Sequence, residues 1–264
     1  MTIDNKIERL KDWAEAYTSC SVAFSGGVDS TFLLSALQRY TSLKVHAVTL
    51  FPPYVPVWEV AEAKQFAISS GIDHVIIPVD IPDAIRTNPV NRCYLCKSQI
   101  FSRIVEQASK EDLDVIADGT NADDDPEERP GMKALSEIGI QSPLRMCGLT
   151  KKDIRNLCRK WKLPVAGKPT YSCLLTRLPH NTEVNPYVII RIEKAERYLH
   201  SLGFPAVRVR TSGDGKAAQV DVAPFVLSAL SSPETIKLIN SRFKGLGYSS
   251  VTIGNKDEEN RRDT

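Results

Sequence analysis

Two adjacent glycines connect a short apolar stretch to a helical pattern near the start of the chain. The segment reads Ser25-Gly26-Gly27-Val28-Asp29-Ser30, and it follows the mostly apolar residues 21–24. Because glycine has no Cβ, the backbone can come close to a ligand, and the first N–H groups of the following helix have no partner within it. With the helix dipole and two serine hydroxyls, these groups favour a phosphate or pyrophosphate site. Asp29 is placed to hold a metal ion that shields the anion. The alternative is an ordinary tight turn.

A second polar segment follows the short apolar stretch 115–117. It reads Asp118-Gly119-Thr120-Asn121 and continues into Asp123 and Asp124. Such a loop offers oxygen acceptors for magnesium and for ribose hydroxyls, which a nucleotide site needs. The alternative is a solvated acidic turn. Arg129, a few residues later, is predicted to position the loop.

Three of the six cysteines are candidates for chemistry. Cys93 and Cys96 are spaced to share one helical face. Alone, this pair fits a redox couple, half of a zinc site, half of an iron–sulfur site, or structural thiols. A third thiolate from Cys173 would leave one corner of a tetrahedral site, or one iron of a four-iron cluster, without a protein ligand. The remaining cysteines are predicted to be packing residues, namely Cys20, Cys147 and Cys158.

Arg208 and Arg210 alternate on a predicted strand, so both side chains should point to one face of it. Two guanidinium groups on one face can grip a phosphate. The alternative is a charged edge strand.

Alternating strands and helices must position these groups. Strands are predicted at 20–24, 45–51, 74–79 and 115–117, with helices at the N-terminus and at 28–40, 56–70 and 151–162. The segment Thr150-Lys151-Lys152-Asp153 resembles a capping box at the start of the last of these helices. This alternation favours an α/β fold with a doubly wound parallel sheet. Ligands bind at the carboxyl ends of such strands, where both polar segments should then meet.

The pattern changes near residue 180. A long helix is predicted at 186–202, strands at 207–209, 218–222 and 251–253, and a helical stretch at 225–243. We therefore predict two domains, residues 1–180 and a smaller α+β domain over residues 181–264.

The composition narrows the class of protein. In 264 residues, 25% are charged and 42% hydrophobic, which is ordinary for a soluble globular protein, and the net charge of +2 is weaker than a nucleic-acid-binding surface usually shows. The polar N-terminus resembles no signal peptide, and no apolar run approaches the roughly 20 residues of a membrane span. We expect a cytoplasmic protein whose cysteines are thiols or metal ligands rather than disulfides.

The hexapeptide SGGVDS resembles the signature of the PP-loop ATP pyrophosphatases. It is neither a Walker A loop nor a dinucleotide fingerprint, because the required Gly-Lys-Ser/Thr and G-x-G-x-x-G patterns are absent. The resemblance implies cleavage of ATP between the α and β phosphates, transfer of AMP to a substrate oxygen, and release of pyrophosphate. ATP and Mg²⁺ would then bind the SGGVDS turn and the DGTN loop.

Further motifs resemble the LarE family of sulfur-transferring PP-loop enzymes, over nearly the whole chain. They are NRCYLCK (91–97), DGTNADD (118–124), RPGMKAL (129–135), the loop 173–177, and the segments 195–199 and 207–210. The resemblance implies adenylation of a carboxylate of a pyridinium biscarboxylate mononucleotide, its conversion to a thiocarboxylate, and a place in nickel-pincer cofactor synthesis and lactate racemase maturation. It assigns Asp29, Arg177 and Glu196 catalytic roles and gives the substrate phosphate to Arg208 and Arg210.

The family supplies sulfur in two ways. Some members sacrifice a cysteine five residues before the arginine that matches Arg177, but here that position is Ser172. The three-cysteine branch instead binds a 4Fe-4S cluster whose unique iron holds exogenous sulfide, and Cys93, Cys96 and Cys173 match that branch. Zinc, or thiol chemistry without a metal, are the alternatives. The expected partners are the small-molecule substrate and a sulfide source, and we expect a homo-oligomer.

Three other functions compete with this prediction. A tRNA thiolase shares the loop but needs a nucleic-acid surface, and the chain has neither a pair of zinc knuckles nor a strong basic arm. A nonenzymatic ATP-binding protein would bind ATP without releasing pyrophosphate. An amidotransferase-type ligase would need a glutaminase portion.

Overall fold

The computed structural model describes residues 1–255 of the chain. These residues form two compact units. Unit 1 contains residues 1–82 and 91–168, and unit 2 contains residues 83–90 and the described residues from 169 onward.

Unit 1 is a parallel sheet flanked by helices. Its strands are β1 (Ser19–Ala23), β2 (Lys44–Phe51), β3 (Asp73–Pro78) and β4 (Val115–Ala117). Its helices are α1 (Ile3–Ala14), α2 (Val28–Tyr40), α3 (Val57–Ser70), α4 (Arg92–Ile100), α5 (Ser102–Lys110), α6 (Gly131–Glu137), α7 (Pro143–Met146) and α8 (Lys151–Lys160). The predicted parallel α/β sheet is confirmed.

The strand order β3-β2-β1-β4 puts the point of reversal between β1 and β4. From β1 the chain proceeds outward through β2 to β3, then returns to β4 on the other side of β1. Val22 on β1 is paired in parallel with Ala47 on β2 and with Ala117 on β4. Open α/β sheets bind ligands outside the carboxyl ends of the strands at such a reversal, and the SGGVDS and DGTN segments follow β1 and β4.

The core of unit 1 contains the three cysteines predicted to be packing residues. Cys20, Cys147 and Cys158 are at most 2% exposed. Burial raises the pKa of Cys20 to about 12 and that of Cys158 to about 11, because a thiolate is poorly stabilised away from water. These thiols are therefore neutral at physiological pH.

Unit 2 is a small mixed sheet with helices. Its strands are β5 (Arg208–Thr211), β6 (Ala217–Val222) and β7 (Ser250–Asn255), and its helices are α9 (Pro186–Ser201), α10 (Pro224–Leu230) and α11 (Pro233–Leu246). β5 pairs with β6 in antiparallel and β6 with β7 in parallel. The single helical stretch predicted at 225–243 is two helices, because Ser232 caps a new helix that has Pro233 at its first turn.

The division of the chain differs from the predicted domains 1–180 and 181–264. The structure divides the chain after Lys168 and adds residues 83–90 to unit 2. Hydrogen bonds explain this assignment: the Val184 N–H donates to the Arg86 carbonyl at 2.7 Å, and the Asn88 amide donates to the Pro179 carbonyl at 2.9 Å. Residues 256–264 of the predicted second domain lie outside the described residues.

Within residues 1–255, no helix combines the length and the apolar composition that crossing a membrane requires.

A capping box starts α8, as the sequence predicted. The Thr150 hydroxyl accepts from the Asp153 N–H at 3.2 Å, and the Asp153 carboxylate accepts from the Thr150 N–H at 3.1 Å.

We expect Thr150→Ala to lower the free energy of unfolding by about 1 kcal/mol, since the first turn of α8 then loses a cap. Urea unfolding measures this change. Thr150→Ser keeps the hydroxyl and should unfold like the wild type; equal stability of the alanine variant would contradict the prediction.

Candidate functional site

The SGGVDS segment forms a tight turn between β1 and α2. Gly26 has φ +71°, and a Cβ there would lie 2.9 Å from the Ala63 Cβ on α3. Gly27 is the N-cap of α2 and has no side chain to cap the helix. The first N–H groups of α2 therefore remain available to an anion. The predicted strand–turn–helix geometry is confirmed.

Two serine hydroxyls close the turn. Ser25 Oγ and Ser30 Oγ lie 3.2 Å apart. The Gly27 N–H donates to Ser25 Oγ, and Ser30 Oγ donates to the Gly27 carbonyl, both at 3.4 Å. Both hydroxyls thus lie beside the backbone of the predicted phosphate site.

Asp29 is paired with a lysine that the sequence analysis did not single out. Lys151 Nζ lies 2.5 Å from Asp29 Oδ2, and the Lys151 N–H donates to Asp123 at 2.8 Å. The other carboxylate oxygen, Asp29 Oδ1, is buried and has no hydrogen-bond partner in the described part of the chain. The capping box at Thr150 makes Lys151 the first residue of α8. The sequence therefore already indicated that Lys151 lies at the start of a helix.

The DGTN loop packs directly on the SGGVDS turn. A Cβ on Gly119 would lie 2.8 Å from the Ser30 backbone nitrogen. The Asp118 carboxylate accepts from Ser142 Oγ at 2.7 Å and from Thr120 Oγ1 at 2.5 Å. Asn121 Oδ1 accepts from the N–H of the acidic residue that follows at 123, at 2.9 Å. The side chains of this loop therefore fix its shape, while its glycine allows the close approach to α2.

Two basic residues brace these loops. Arg129 pairs with Asp124 at 2.8 Å, in agreement with its predicted role in positioning the loop. Lys168 Nζ lies 2.8 Å from Glu59 and 2.7 Å from Glu62, and it donates to the Gly26 carbonyl at 3.2 Å.

Burial affects the ionisation of the Lys168 cluster. Burial raises the pKa of Glu59, although Lys168 lies beside it. Burial also disfavours the charged form of Lys168, but its hydrogen bonds to Glu59 and Glu62 outweigh this and raise its pKa. Lys168 therefore remains a cation that holds the Gly26 carbonyl. Sequence spacing could not reveal this contact, because 142 residues separate Lys168 from Gly26.

Cys93 and Cys96 lie in the first turns of α4, in unit 1. Cys93 is exposed and Cys96 is half-buried. Tyr54 Oη lies 2.9 Å from Cys96 Sγ. The helical spacing predicted for this pair is confirmed, since residues three apart in a helix share a face.

Cys173 lies in unit 2, immediately before a 3₁₀ turn formed by Leu174–Arg177. Its carbonyl accepts from the Thr176 N–H at 3.1 Å and from Thr176 Oγ1 at 2.9 Å. Within residues 1–255, no group of three or more His, Cys, Asp and Glu side chains is arranged to hold a metal ion. The cluster of Cys93, Cys96 and Cys173 stays a prediction.

Arg177 and Glu196 form a buried ion pair in unit 2. Arg177 Nε lies 2.7 Å from Glu196 Oε1, and both side chains are 0% exposed. Arg177 Nη1 donates to Ser172 Oγ at 2.8 Å, and Glu196 Oε1 accepts from the Val209 N–H at 2.8 Å. Burial raises the pKa of Glu196 and lowers that of Arg177. The pair thus joins the segment before the 3₁₀ turn, α9 and β5.

Arg208 and Arg210 share a face of β5 but have different surroundings. Arg210 Nε lies 2.6 Å from Asp221 Oδ2, and its Nη1 donates to the Thr176 carbonyl at 2.9 Å. Arg208 lines a cavity of about 330 Å³ together with Tyr171 and Asp221. Burial and the charge of Arg210 lower the pKa of Arg208. Of the two predicted phosphate ligands, Arg208 is therefore the one that faces a cavity.

Comparison with known proteins supports the resemblance. No protein-family model matches the chain. It is 32% identical to the pyridinium-3,5-bisthiocarboxylic acid mononucleotide synthase of Lactiplantibacillus plantarum over 88% of this chain and 84% of the relative. Uncharacterized proteins of Methanocaldococcus jannaschii and of Synechocystis are 31% and 28% identical, over 88% and 95% of this chain and 87% and 94% of the relatives. By this identity and coverage, the chain belongs to the family of the pyridinium-3,5-bisthiocarboxylic acid mononucleotide synthase, the LarE type.

Proposed function

We propose that the protein is an ATP-dependent sulfur transferase of nickel-pincer cofactor synthesis. It adenylates a carboxylate of pyridinium-3,5-biscarboxylic acid mononucleotide and converts it to a thiocarboxylate. The observation that carries this proposal is the direct packing of the DGTN loop on the SGGVDS turn, at the reversal of a parallel sheet, in a chain of this family.

The first step is adenylation. A carboxylate oxygen of the substrate attacks the α-phosphorus of ATP, a P–O bond forms, and the bond to the β-phosphate breaks with release of pyrophosphate. The N–H groups at the start of α2 receive the phosphates. Asp29 Oδ1, which has no hydrogen-bond partner among residues 1–255, fits Mg²⁺, which prefers carboxylate oxygens.

Lys151 supplies positive charge to this step. Its ammonium group lies against Asp29 Oδ2 and is 30% exposed, so it can also reach an anion bound at the turn. A cation fixed beside the leaving pyrophosphate stabilises the charge that develops in the transition state.

The second step transfers sulfur. Sulfide attacks the carbonyl carbon of the acyl-adenylate, a C–S bond forms, and the bond to AMP breaks. A 4Fe-4S cluster held by Cys93, Cys96 and Cys173 would supply this sulfide at the iron that lacks a protein ligand. The donor chemistry fits: Cys93 and Cys96 lie one helical turn apart at the surface of unit 1. Burial raises the pKa of Cys20 and Cys158, which disfavours these two residues as thiolate ligands.

Unit 2 would bind the substrate. Arg208 holds the substrate phosphate from its cavity, and Arg210 holds the 3₁₀ turn through the Thr176 carbonyl. Full burial supports positioning roles for Arg177 and Glu196, because neither side chain is accessible to a ligand.

The decisive experiment measures both products. Protein purified without oxygen and loaded with iron and sulfide should convert ATP and the pyridinium biscarboxylate mononucleotide to AMP, pyrophosphate and a thiocarboxylate, detected by mass spectrometry. Omitting the carboxylate substrate should abolish pyrophosphate release. Formation of ADP, or ATP binding without pyrophosphate release, would contradict the proposal. Retardation of total tRNA in a gel, with thiolated tRNA as product, would favour a tRNA thiolase instead.

We expect Lys151→Met to lower kcat for pyrophosphate release by about 100-fold, the loss typical when one preorganised group at a developing charge is removed. Lys152→Met is the matched control, because Lys152 is the adjacent residue of α8 and is exposed. A Lys151 variant with the activity of the Lys152 variant would show that the Asp29 partner has no part in adenylation.

We expect Cys93→Ala, Cys96→Ala and Cys173→Ala each to reduce bound iron and acid-labile sulfide, because each removes a thiolate ligand. Cys147→Ala, in the core of unit 1, should bind as much iron as the wild type. Iron analysis and absorption spectroscopy under anaerobic conditions distinguish a cluster from zinc and from bare thiols. Full iron binding by each of the three variants would show that the ligand assignment is wrong.

A further inference from the structure

Residues 83–90 form a short segment of unit 2 that is joined to the rest of that unit by backbone hydrogen bonds. It contains a 3₁₀ turn, Asp83–Ile85, whose last residue is fully buried. The Asn181 N–H donates to the Asn88 carbonyl at 3.0 Å, and the Val184 N–H donates to the Arg86 carbonyl at 2.7 Å. The segment is therefore hydrogen-bonded to residues that follow Cys173 in the chain.

The Asn88 side chain makes a second set of contacts with the same chain. Asn88 is 0% exposed, and its Nδ2 donates to the carbonyls of Leu175 and Leu178 at 3.3 Å and of Pro179 at 2.9 Å. An amide has two N–H groups, so three acceptors must share them. Asn88 also has φ +48°, which asparagine adopts at lower cost than most residues.

Two of these carbonyls, those of Leu175 and Leu178, belong to the turn that Cys173 begins, and that of Pro179 follows it. The carbonyls at the end of a short helix lack partners within it, and a buried carbonyl without a partner is costly. Leu178 is the C-cap of the 3₁₀ turn. Leu175 lies inside the turn, and its carbonyl also accepts from the Leu178 N–H at 3.2 Å. Asn88 thus satisfies the end of the turn, while Thr176 binds the Cys173 carbonyl at its start.

We propose that Asn88 is a positioning residue for the Cys173 thiol. This inference rests on the proposed function, in which Cys173 contributes to sulfur transfer. Residues 89–92 alone separate Asn88 from Cys93 in the chain, so the segment that fixes the Cys173 turn runs directly into the CxxC pair. Arg177, the last residue of the turn, donates to Ser172 Oγ immediately before Cys173.

The chemistry of the contact requires an amide. Aspartate would place carboxylate oxygens against three carbonyl oxygens, and glutamine is longer by one methylene in a fully buried position. Glycine keeps the left-handed backbone without strain and removes only the side chain. Asn88→Gly therefore isolates the amide contacts.

The test compares Asn88→Gly with Asn181→Gly. Asn181 is also in unit 2, has φ +56° and is exposed, so it is a matched control for a glycine at a left-handed position. In the protein without iron, pulse alkylation followed by peptide mass spectrometry measures the reaction rate of each cysteine. We expect Cys173 to react about tenfold faster in Asn88→Gly, as expected for the loss of about one net hydrogen bond. Cys93 should react at the wild-type rate.

A second readout separates positioning from a general loss of stability. With substrate, Asn88→Gly should release pyrophosphate at the wild-type rate. It should form thiocarboxylate about tenfold more slowly, because the same loss of order in the turn that makes Cys173 react faster with the alkylating reagent also disturbs its position for sulfur transfer. Equal alkylation of Cys173 in the two glycine variants would overturn the inference. If the wild type takes up no iron, the proposed cluster fails, while the alkylation rates still decide the role of Asn88.

If Asn88→Gly does not fold, hydrogen exchange of the wild-type protein tests the same inference. The Thr176 and Leu178 N–H groups donate within the turn, to the carbonyls of Cys173 and Leu175. Their amide hydrogens should exchange slowly with solvent. Exchange as fast as in an unstructured chain would overturn the proposal, because Asn88 would then hold no ordered turn.

Discussion

Close backbone packing at two glycines is the constraint on which the proposed nucleotide site depends. Gly26 lies against Ala63, and Gly119 lies against the Ser30 backbone, so that neither position has room for a Cβ. The parallel sheet makes this possible, because β1 and β4 are neighbours and end at the same edge. With the SGGVDS turn and the DGTN loop in contact, polar backbone groups lie on two sides of the start of α2. Backbone N–H groups at a helix N-terminus favour the binding of phosphate groups.

The charged pairs of the protein differ in exposure, and exposure limits what each can do. Lys151 is 30% exposed where it contacts Asp29, so its ammonium group remains accessible to a ligand. Arg177 and Glu196 are 0% exposed. Removing one partner of such a pair leaves an uncompensated buried charge, which costs about 3–5 kcal/mol. The first pair is therefore suited to chemistry, and the second to holding the 3₁₀ turn, α9 and β5 in one arrangement.

Local signals in the sequence predicted much of the fold, and contacts distant in sequence were missed. The SGGVDS turn, the strands of the parallel sheet and the capping box at Thr150 depend on residues only a few positions apart, so spacing reveals them. The contact of Lys168 with Gly26 and the contacts of Asn88 with residues 175–179 join segments that no periodicity connects. For the same reason the predicted boundary at 180 differs from the observed division after Lys168. The break before Pro233 was visible in the sequence, since a serine followed by proline favours a new helix.

Ser172 links the family's two modes of sulfur supply to the structure. Its hydroxyl accepts from Arg177 at 2.8 Å and lies 3.1 Å from the Thr176 hydroxyl, so this side chain is part of the scaffold of the 3₁₀ turn. A serine carries no sulfur, so the sacrificial pattern that the resemblance implies is not met at this position. The neighbouring Cys173 retains a thiol at the start of a turn to which Asn88 and Arg177 both donate hydrogen bonds. An ordered thiol, as proposed for Cys173, suits a ligand that must survive each turnover, whereas a sacrificed cysteine is consumed once. The proposed role of Asn88 therefore agrees with the proposal that sulfur is delivered from outside the protein.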